Sequence, residues 1–149
     1  MIHIKFKRLH PDAKIPTKGT EGAACFDLYA VEETVLGNRA PRKKVRTGLA
    51  LEIPEGYCAR IYSRSSSFLK GLDIGSLVCD SDYRGEIFVM AGYESTHAME
   101  PEDFAAYRIR KGDRIAQIKI EQLVPTEFCE VSELSETARG TGGYGSTGR

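Results

Sequence analysis

Short, β-rich apolar blocks separated by turn residues are the feature that most constrains the fold of this chain. Groups such as Pro54-Glu55-Gly56 and Lys111-Gly112-Asp113 stand between the blocks and suit tight connections. Many short strands with close turns are typical of a β-sandwich or barrel. The blocks predicted as strands are Ile2–Phe6, Val45–Ile53, Tyr57–Tyr62, Ile87–Met90, Tyr107–Ile109, Ile115–Val124 and Phe128–Val131.

A single segment of the chain favours a helix instead of a strand. The residues SSSFLKGL, from Ser65 to Leu72, begin with serines that can cap a helix and contain Gly71, which can end one. Because the other apolar blocks are strand-like, the sequence predicts an all-β fold with one short helix.

The size and charge of the chain limit the functions it can have. At 149 residues it has the length of one domain, and 21 Lys and Arg balance 21 Asp and Glu, so the formal net charge is zero. A chain without a basic field is poorly suited to bind DNA, RNA or an anionic membrane. The N-terminus has no signal-type apolar core, and no apolar run is long enough to span a bilayer. We therefore expect no nucleic-acid or membrane partner and a cytoplasmic location, which for a viral protein would be inside the host cell.

The histidines and cysteines do not predict a metal site in the protein. No CxxC pair occurs, and no two histidines are four residues apart. We expect the cysteines to be small buried hydrophobes in a reducing compartment. The residues concerned are His3, His10, His97, Cys25, Cys58, Cys79 and Cys129.

The C-terminal segment is rich in glycine and nearly free of aliphatic side chains. It reads RGTGGYGSTG from Arg139 onward, and its glycines allow backbone N–H groups to converge on an anion. Arg139 adds a bidentate cation, Ser146 and Thr147 add hydroxyl donors, and Tyr144 can stack on a base. Matches to G-x-G-x-x-G and to Walker spacing are formal only, because both motifs need a flanking strand and helix and Ser146 replaces the Walker lysine. The segment fits either a disordered terminus or a phosphate-binding lid.

Two polar clusters stand at the ends of predicted strands. The segment CDSDYRGE places the carboxylates of Asp80 and Asp82 in a turn, while YSRSSSF brings Arg64, Ser65 and Ser66 to a point where a helix start can offer N–H groups to phosphate. Ordinary turn formation and helix capping account for the same residue types.

Two polar side chains interrupt apolar segments and therefore need partners. Asp27 lies within GAACFDLYA, and Gln117 lies within GDRIAQI. Burying a carboxylate or an amide without hydrogen bonds is costly, so we expect both to be hydrogen-bonded or close to a functional cluster.

Five segments, in the order GAACFDLYA, SRSSS, CDSDYRGE, GDRIAQI and RGTGGYGSTG, closely resemble the five ordered motifs of the trimeric dUTPase family. The resemblance extends from Gly22 to Gly148, and the last motif is the most specific. It implies a jelly-roll-like, distorted β-barrel subunit in a homotrimer, with each active site assembled from all three chains. The implied reaction is hydrolysis of dUTP to dUMP and pyrophosphate, with Mg²⁺ bound through the phosphates of the substrate.

The resemblance also implies a role for individual residues. Asp80 would be the general base that activates water for attack on the α-phosphorus, Tyr83 would pack under the deoxyribose, and Asp27 would support the site. Tyr144 takes the place of the family's usual phenylalanine over uracil. The residues implied to bind substrate are Arg64, Ser65, Ser66, Tyr83, Gln117, Arg139, Tyr144, Gly145, Ser146 and Thr147. The chain would then consist of a β-barrel domain, 1–138, and a flexible lid, 139–149.

Besides Tyr144, the chain departs from the family pattern in four places. Ser63 stands where Pro or Gly is common, and Cys79 stands where an aliphatic residue is common. The hairpin before Asp80 has no Asn, and the segment GYESTHAMEPEDFAAY is longer than usual, as expected for an extended surface loop. The alternatives that share the fold are a dCTP deaminase or bifunctional relative and a dUTPase-like regulatory protein that only binds nucleotide. Deamination needs an added acid or base beside the pyrimidine, and CDSDYRGE fits simple hydrolysis better.

Overall fold

The computed structural model describes residues 1–95 and 106–143 and folds them into ten strands and one short helix. The strands are β1 (Lys5–Arg8), β2 (Phe26–Tyr29), β3 (Thr34–Gly37), β4 (Lys43–Glu52), β5 (Tyr57–Tyr62), β6 (Leu72–Ile74), β7 (Leu77–Cys79), β8 (Glu86–Tyr93), β9 (Ala106–Ile109) and β10 (Arg114–Gln122), and the helix is α1 (Ser65–Leu69). Within these described ranges, no helix is long and apolar enough to cross a membrane.

Two four-stranded antiparallel sheets form the body of the molecule. One has the order β1-β4-β8-β6 and the other β2-β10-β5-β7, while β3 and β9 form a separate two-stranded ribbon. Alternate side chains of both sheets point inward and enclose one main core, which includes Leu28, Val45, Ile61, Val89 and Ile118. The all-β class with one short helix is thus as the sequence predicts.

The strand predictions are confirmed where apolar residues alternate over a long enough run. β5 has the predicted bounds, and β1, β4, β8, β9 and β10 lie within a few residues of theirs. The predicted strand Phe128–Val131 is wrong, because residues 123–143 form no strand and Phe128 is 97% exposed. A strand needs a paired edge, and the described part of this chain offers that segment none. Four short strands, β2, β3, β6 and β7, were not predicted, although β1 and β9 are also short and were. A period-two pattern over three or four residues is a weak signal.

Helix α1 begins at Ser65 and is followed by Gly71, as predicted, but its N-terminal cap differs from the expected one. Arg64, in extended conformation, is the N-cap residue, and no side chain caps the helix, so the expected capping by serine is wrong. The backbone carbonyl of Arg64 instead accepts bonds from the N–H groups of Ser67 and Phe68. Gly71, with φ of 75°, follows the helix in the left-handed conformation that a C-terminal glycine provides.

The cysteines do not all lie in the core. Cys58 and Cys79 are buried, Cys25 is half-buried, and Cys129 is exposed, so the expectation of buried thiols is wrong for Cys129. The segment Gly92–Tyr107 is also only in part a loop, because β8 continues through Tyr93 and β9 begins at Ala106. Residues 96–105 of that segment lie outside the described ranges.

Candidate active site

The middle of β10 organises the first polar cluster. In the sheet, Gln117 pairs with Asp27 of β2 on one side and with Tyr62 of β5 on the other. Its side-chain amide donates a 2.8 Å hydrogen bond to the carbonyl oxygen of Ser63, which follows β5. Gln117 therefore has the partner that its position in an apolar strand requires, and it fastens the chain just before Arg64.

Asp27 joins two arginines from different segments. Its Oδ1 accepts a 2.9 Å hydrogen bond from Nε of Arg64, and its Oδ2 lies 3.4 Å from Nη1 of Arg114. The Asp27 side chain is 13% exposed and that of Arg64 is 21% exposed, so this pair is largely withdrawn from solvent. Arg64 also donates through Nη1 to the carbonyl oxygen of Arg114 at 3.2 Å. These contacts meet the prediction that the Asp27 carboxylate is hydrogen-bonded.

A recess of about 400 Å³ opens beside this ion-paired group. Ser65 and Ser66, at the start of α1, are exposed on its wall. The guanidinium groups of two arginines and the hydroxyl groups of two serines line a space that has a single carboxylate. The first N–H groups of a helix also have no intrahelical partner and are free to bind a ligand. Such a recess is suited to bind an anion with several oxygen acceptors. The recess is lined by Gly19, Ala23, Cys25, Asp27, Arg64, Ser65, Ser66, Arg114 and Gln117.

Arg114 is the residue of this recess that was not singled out from the sequence. It stands three positions before Gln117 in the same motif, at the first position of β10. The register of β2 and β10 shifts between Arg114 and Ala116, and the sequence pattern does not predict this irregularity. The sequence does contain a signal for Arg114. Because the Asp27 carboxylate was expected to need a partner, a cation such as Arg114 could have been identified as that partner.

The second polar cluster is the turn between β7 and β8. Asp80 follows β7 directly, and the N–H of Tyr83 donates to the carbonyl oxygen of Asp80 at 3.2 Å, which closes the turn. Both side chains are exposed, and both line a recess of about 320 Å³ whose floor includes Leu77, Ile87 and Phe88. An exposed carboxylate beside an aromatic ring can accept a proton from water that is next to a bound ligand.

The thiol beside Asp80 is not a competing nucleophile. Burial raises the pKa of the Cys79 thiol, and the negative charge of Asp80 raises it further. The Cys79 side chain therefore stays protonated at neutral pH, and its Sγ donates a weak 3.8 Å bond to the carbonyl oxygen of Asp80.

The two clusters lie at opposite ends of β5. Antiparallel pairing places Cys79 opposite Ala59 and Leu77 opposite Ile61, so the chain reaches Asp80 while running toward the start of β5. Arg64 follows the other end of that strand, five residues beyond Ala59, which corresponds to about 16 Å along an extended chain. Asp80 and Tyr83 are thus not brought to the Asp27–Arg64 recess of the same chain.

The glycine-rich segment lies apart from both recesses as far as the structure describes it. Arg139 is exposed, and its Nε donates a 2.8 Å hydrogen bond to the carbonyl oxygen of Gly142 within the same turn. Tyr144, Gly145, Ser146 and Thr147, which were singled out from the sequence, lie outside the described residues. Within residues 1–95 and 106–143, no group of three or more His, Cys, Asp or Glu side chains could hold a metal ion.

Comparison with known proteins links this arrangement to one family. The family model described as dUTPase matches residues 11–148. The deoxyuridine 5'-triphosphate nucleotidohydrolase of Paramecium bursaria Chlorella virus 1 is 42% identical over 149 residues, which cover 99% of each chain. The dUTPase of Staphylococcus bacteriophage 80alpha, solved with dUPNHPP, superposes with a TM-score of 0.88 at 28% identity and full coverage of both chains. A mutant dUTPase of phage phi11 of S. aureus, which coordinates a structural Mg(II) ion, matches 89% of this chain and 98% of its own with a TM-score of 0.77, but at 23% identity this match concerns the fold alone.

Proposed function

The chain belongs to the dUTPase family, and from that premise we propose that it hydrolyses dUTP to dUMP and pyrophosphate. The observation that carries the proposal is the match to the family across residues 11–148. The half-buried Asp27–Arg64 pair with the exposed Arg114, and the exposed Asp80, supply within that match the two kinds of chemistry that the reaction needs.

The Asp27–Arg64 recess is suited to hold the phosphate chain. Arg64 can offer the guanidinium nitrogens that Asp27 does not occupy, and Ser65 and Ser66 can donate hydroxyl groups. Charge-assisted bonds from a fixed guanidinium are shorter and stronger than neutral ones, so an arginine held in place by Asp27 binds phosphate with less loss of freedom. Gln117 acts in this recess through its hold on Ser63.

The residues of the recess fit a magnesium ion that arrives with the substrate. Asp27, the one carboxylate of the recess, is already paired with two arginines, so the oxygens of the phosphate chain are left as the ligands that Mg²⁺ prefers. Bound in this way, Mg²⁺ neutralises part of the phosphate charge. The remaining negative charge is met by Arg64 and Arg114.

Asp80 is assigned the role of general base. It is exposed on a short turn and can accept the proton of a water molecule that attacks the α-phosphorus. Tyr83, on the same turn, presents an aromatic ring against which the deoxyribose can pack. A positioned carboxylate of this kind commonly contributes about 10²- to 10⁴-fold to a rate.

A complete site requires a second copy of the chain. Asp80 and Arg64 lie at opposite ends of β5, so the base of one subunit would meet the phosphate recess of another. We assign a homotrimer, in which closed threefold symmetry repeats this contact and gives three equivalent sites.

The segment after β10 supports association of several chains. Large apolar side chains there are exposed, among them Val124 at 81%, Phe128 at 97% and Leu134 at 88%. The same chain also carries an apolar groove of about 260 Å³ that includes Ile4, Ile15 and Phe26. Exposed apolar segments and open apolar grooves are characteristic of surfaces that are covered on assembly.

Residues 139–149 are assigned to a lid over the assembled site, and residues 1–138 to the β-barrel domain. Arg139, Gly145, Ser146 and Thr147 would clasp the γ end of the phosphate chain, while Tyr144 would stack on uracil. The chemistry of these residue types supports the assignment, since glycines, hydroxyls and two arginines leave the segment little apolar surface with which to fold alone.

The test of the function is a comparison of substrates. Pyrophosphate and ammonia release are measured with dUTP, dCTP, dTTP and UTP at equal concentrations in the presence of Mg²⁺. We expect dUTP to yield pyrophosphate and the others to react far more slowly. Ammonia from dCTP, or equal rates with dUTP and UTP, would contradict the proposal.

A further inference from the structure

Glu86 is the most heavily hydrogen-bonded carboxylate beside the Asp80 recess, although no motif position assigned it a role. It is the first residue of β8, directly after the turn that carries Asp80 and Tyr83, and its side chain is only 11% exposed. The side chain lines the same recess as Asp80. Its partners lie on β4.

The partners of Glu86 belong to an irregularity in β4. The register between β4 and β8 shifts between Arg46 and Ala50, and Gly48 within this bulge has φ of 67°. The Glu86 carboxylate accepts bonds from Nε of Arg46 at 3.1 and 3.2 Å, from Nη2 of Arg46 at 3.0 Å, and from the N–H of Gly48 at 2.9 Å. Thr47 reinforces the contact by donating to the carbonyl oxygen of Ile87 at 2.6 Å. Together, the bidentate Arg46 and the backbone N–H of Gly48 hold the Glu86 side chain in one conformation.

Glu86 is linked to the turn through Tyr83. The Tyr83 hydroxyl donates to the backbone carbonyl oxygen of Glu86 at 3.2 Å. The ring folds so closely over Gly85 that a Cβ atom there would lie 2.4 Å from the Tyr83 hydroxyl oxygen. The position of the Tyr83 ring therefore follows the position of residue 86.

We propose that Glu86, clamped by Arg46 and the Gly48 N–H, is a positioning residue that sets the Asp80–Gly85 turn through Tyr83. The proposal rests on the proposed function in one respect, namely that Asp80 and Tyr83 face dUTP. Glu86 itself touches neither the phosphorus nor the attacking water. A ribose 2′-hydroxyl would clash with a Tyr83 ring that packs under the deoxyribose. Discrimination against a ribose would then depend on the ion pair between Glu86 and Arg46 of the neighbouring strand.

Three variants test the proposal, with a matched control. Glu86→Ala leaves the Gly48 N–H without its acceptor and leaves Arg46 only its 3.8 Å ion pair with Glu32. Glu86→Gln keeps an oxygen for Gly48, and Tyr83→Phe removes the hydroxyl link. The control is Glu33→Gln, which removes another carboxylate paired with an arginine, Arg108, on the ribbon of β3 and β9.

The kinetic measurements are kcat and KM for dUTP and for UTP. We expect Glu86→Ala to lower kcat/KM for dUTP by about 10- to 100-fold, since a displacement near 1 Å has effects of that size. The ratio of kcat/KM for dUTP to that for UTP should fall about tenfold, with partial recovery in Glu86→Gln and no change in Glu33→Gln. Glu86→Ala releases the backbone of residue 86, and Tyr83→Phe removes the hydroxyl that bonds to that backbone. Because both interrupt one chain of contacts, the double variant should be little worse than either single variant.

Hydrogen exchange of the full-length chain separates this proposal from the proposed function. Amides 80–85 should exchange faster in Glu86→Ala and Glu86→Gln than in the wild type or in Glu33→Gln, whether or not dUTP is hydrolysed. An inactive wild type would refute the function and leave this exchange result as the test of positioning. Unchanged exchange of residues 80–85, or a loss of thermal stability with an unchanged dUTP-to-UTP ratio, would overturn the positioning role. If Glu86→Ala does not fold, hydrogen exchange of residues 80–85 and the dUTP-to-UTP ratio are measured for Glu86→Gln and Tyr83→Phe, and the same outcomes support or overturn the proposal.

Discussion

Asp27 holds Arg64 by a 2.9 Å hydrogen bond from the arginine Nε to its Oδ1, and this contact joins β2 to the N-cap residue of α1. The same carboxylate lies 3.4 Å from Arg114 through its other oxygen. One half-buried acidic side chain therefore contacts both cations of the Asp27–Arg64 recess. The Arg64 side chain makes two hydrogen bonds, and the one to Asp27 is the shorter and the one with a charged acceptor, while the other goes from Nη1 to the carbonyl oxygen of Arg114 at 3.2 Å.

Replacement of Asp27 is expected to weaken substrate binding more than catalysis. Asp27→Asn keeps the shape of the side chain but removes the charge that orients Arg64 and Arg114, so KM for dUTP should rise about tenfold, as expected when a hydrogen bond to a charged group is lost. Steady-state kinetics check the result. Asp12→Asn, which breaks an exposed pair with Lys111, should leave KM unchanged. A fall in kcat with unchanged KM would contradict this account of Asp27.

Replacement of Asp80 is expected to abolish turnover and preserve binding. Asp80→Asn removes the proton acceptor without changing the size of the side chain, so kcat should fall by about 10²-fold or more. Binding of dUTP, measured by calorimetry, should persist. Asp82→Asn is the matched control on the same turn and should have a much smaller effect. Equal losses in the two variants would show that Asp80 is not the base.

Mixed assemblies are expected to recover activity that neither parent has. Asp80→Asn lacks the base, and a chain ending at Ala138 lacks the lid. If these elements reach each site from different subunits, random co-assembly of equal amounts should make about a quarter of the sites whole. The chains are co-expressed or refolded together, and mixed assembly is verified by mass. Activity no higher than in the separate variants would indicate that the base and the lid of each site come from the same subunit.

The acid sensitivity of the fold is expected to depend in part on Glu121. A hydrogen bond from Tyr62, with further contributions from Lys119 and Arg60, lowers the pKa of Glu121 below its ordinary value of 4.5. A carboxyl group whose folded pKa is depressed stabilises the protein above its unfolded pKa, and this contribution is lost as the pH falls through the folded pKa. The Tm of wild type and Glu121→Gln should therefore differ above pH 4.5 and converge in more acidic solution. A difference that grows as the pH falls would contradict the sign.

The sequence by itself was sufficient to predict a strand wherever that strand carries its own pattern of apolar residues. β5 could be predicted from Tyr57 to Tyr62 because several apolar residues share one face of an extended segment. The hydrogen bonding of Asp27 and Gln117 followed from the same local reasoning, since a polar group in an apolar strand needs a partner wherever that partner lies. The identities of those partners, Arg64, Arg114 and Ser63, did not follow.

Only the tertiary structure decided which polar segments meet. The five motifs are ordered along the chain, but the register of β5 with β7 places Asp80 far from Arg64, whereas the register of β2 with β10 places Asp27 beside Gln117. The segment around Phe128 has strand-like residues and no strand, because strand formation requires a second edge that its sequence does not specify. Local side-chain chemistry thus determined the β-rich class and the residue types of the site. The hydrogen-bond register between distant strands is a long-range property. It determined that one chain holds two separate parts of the candidate site.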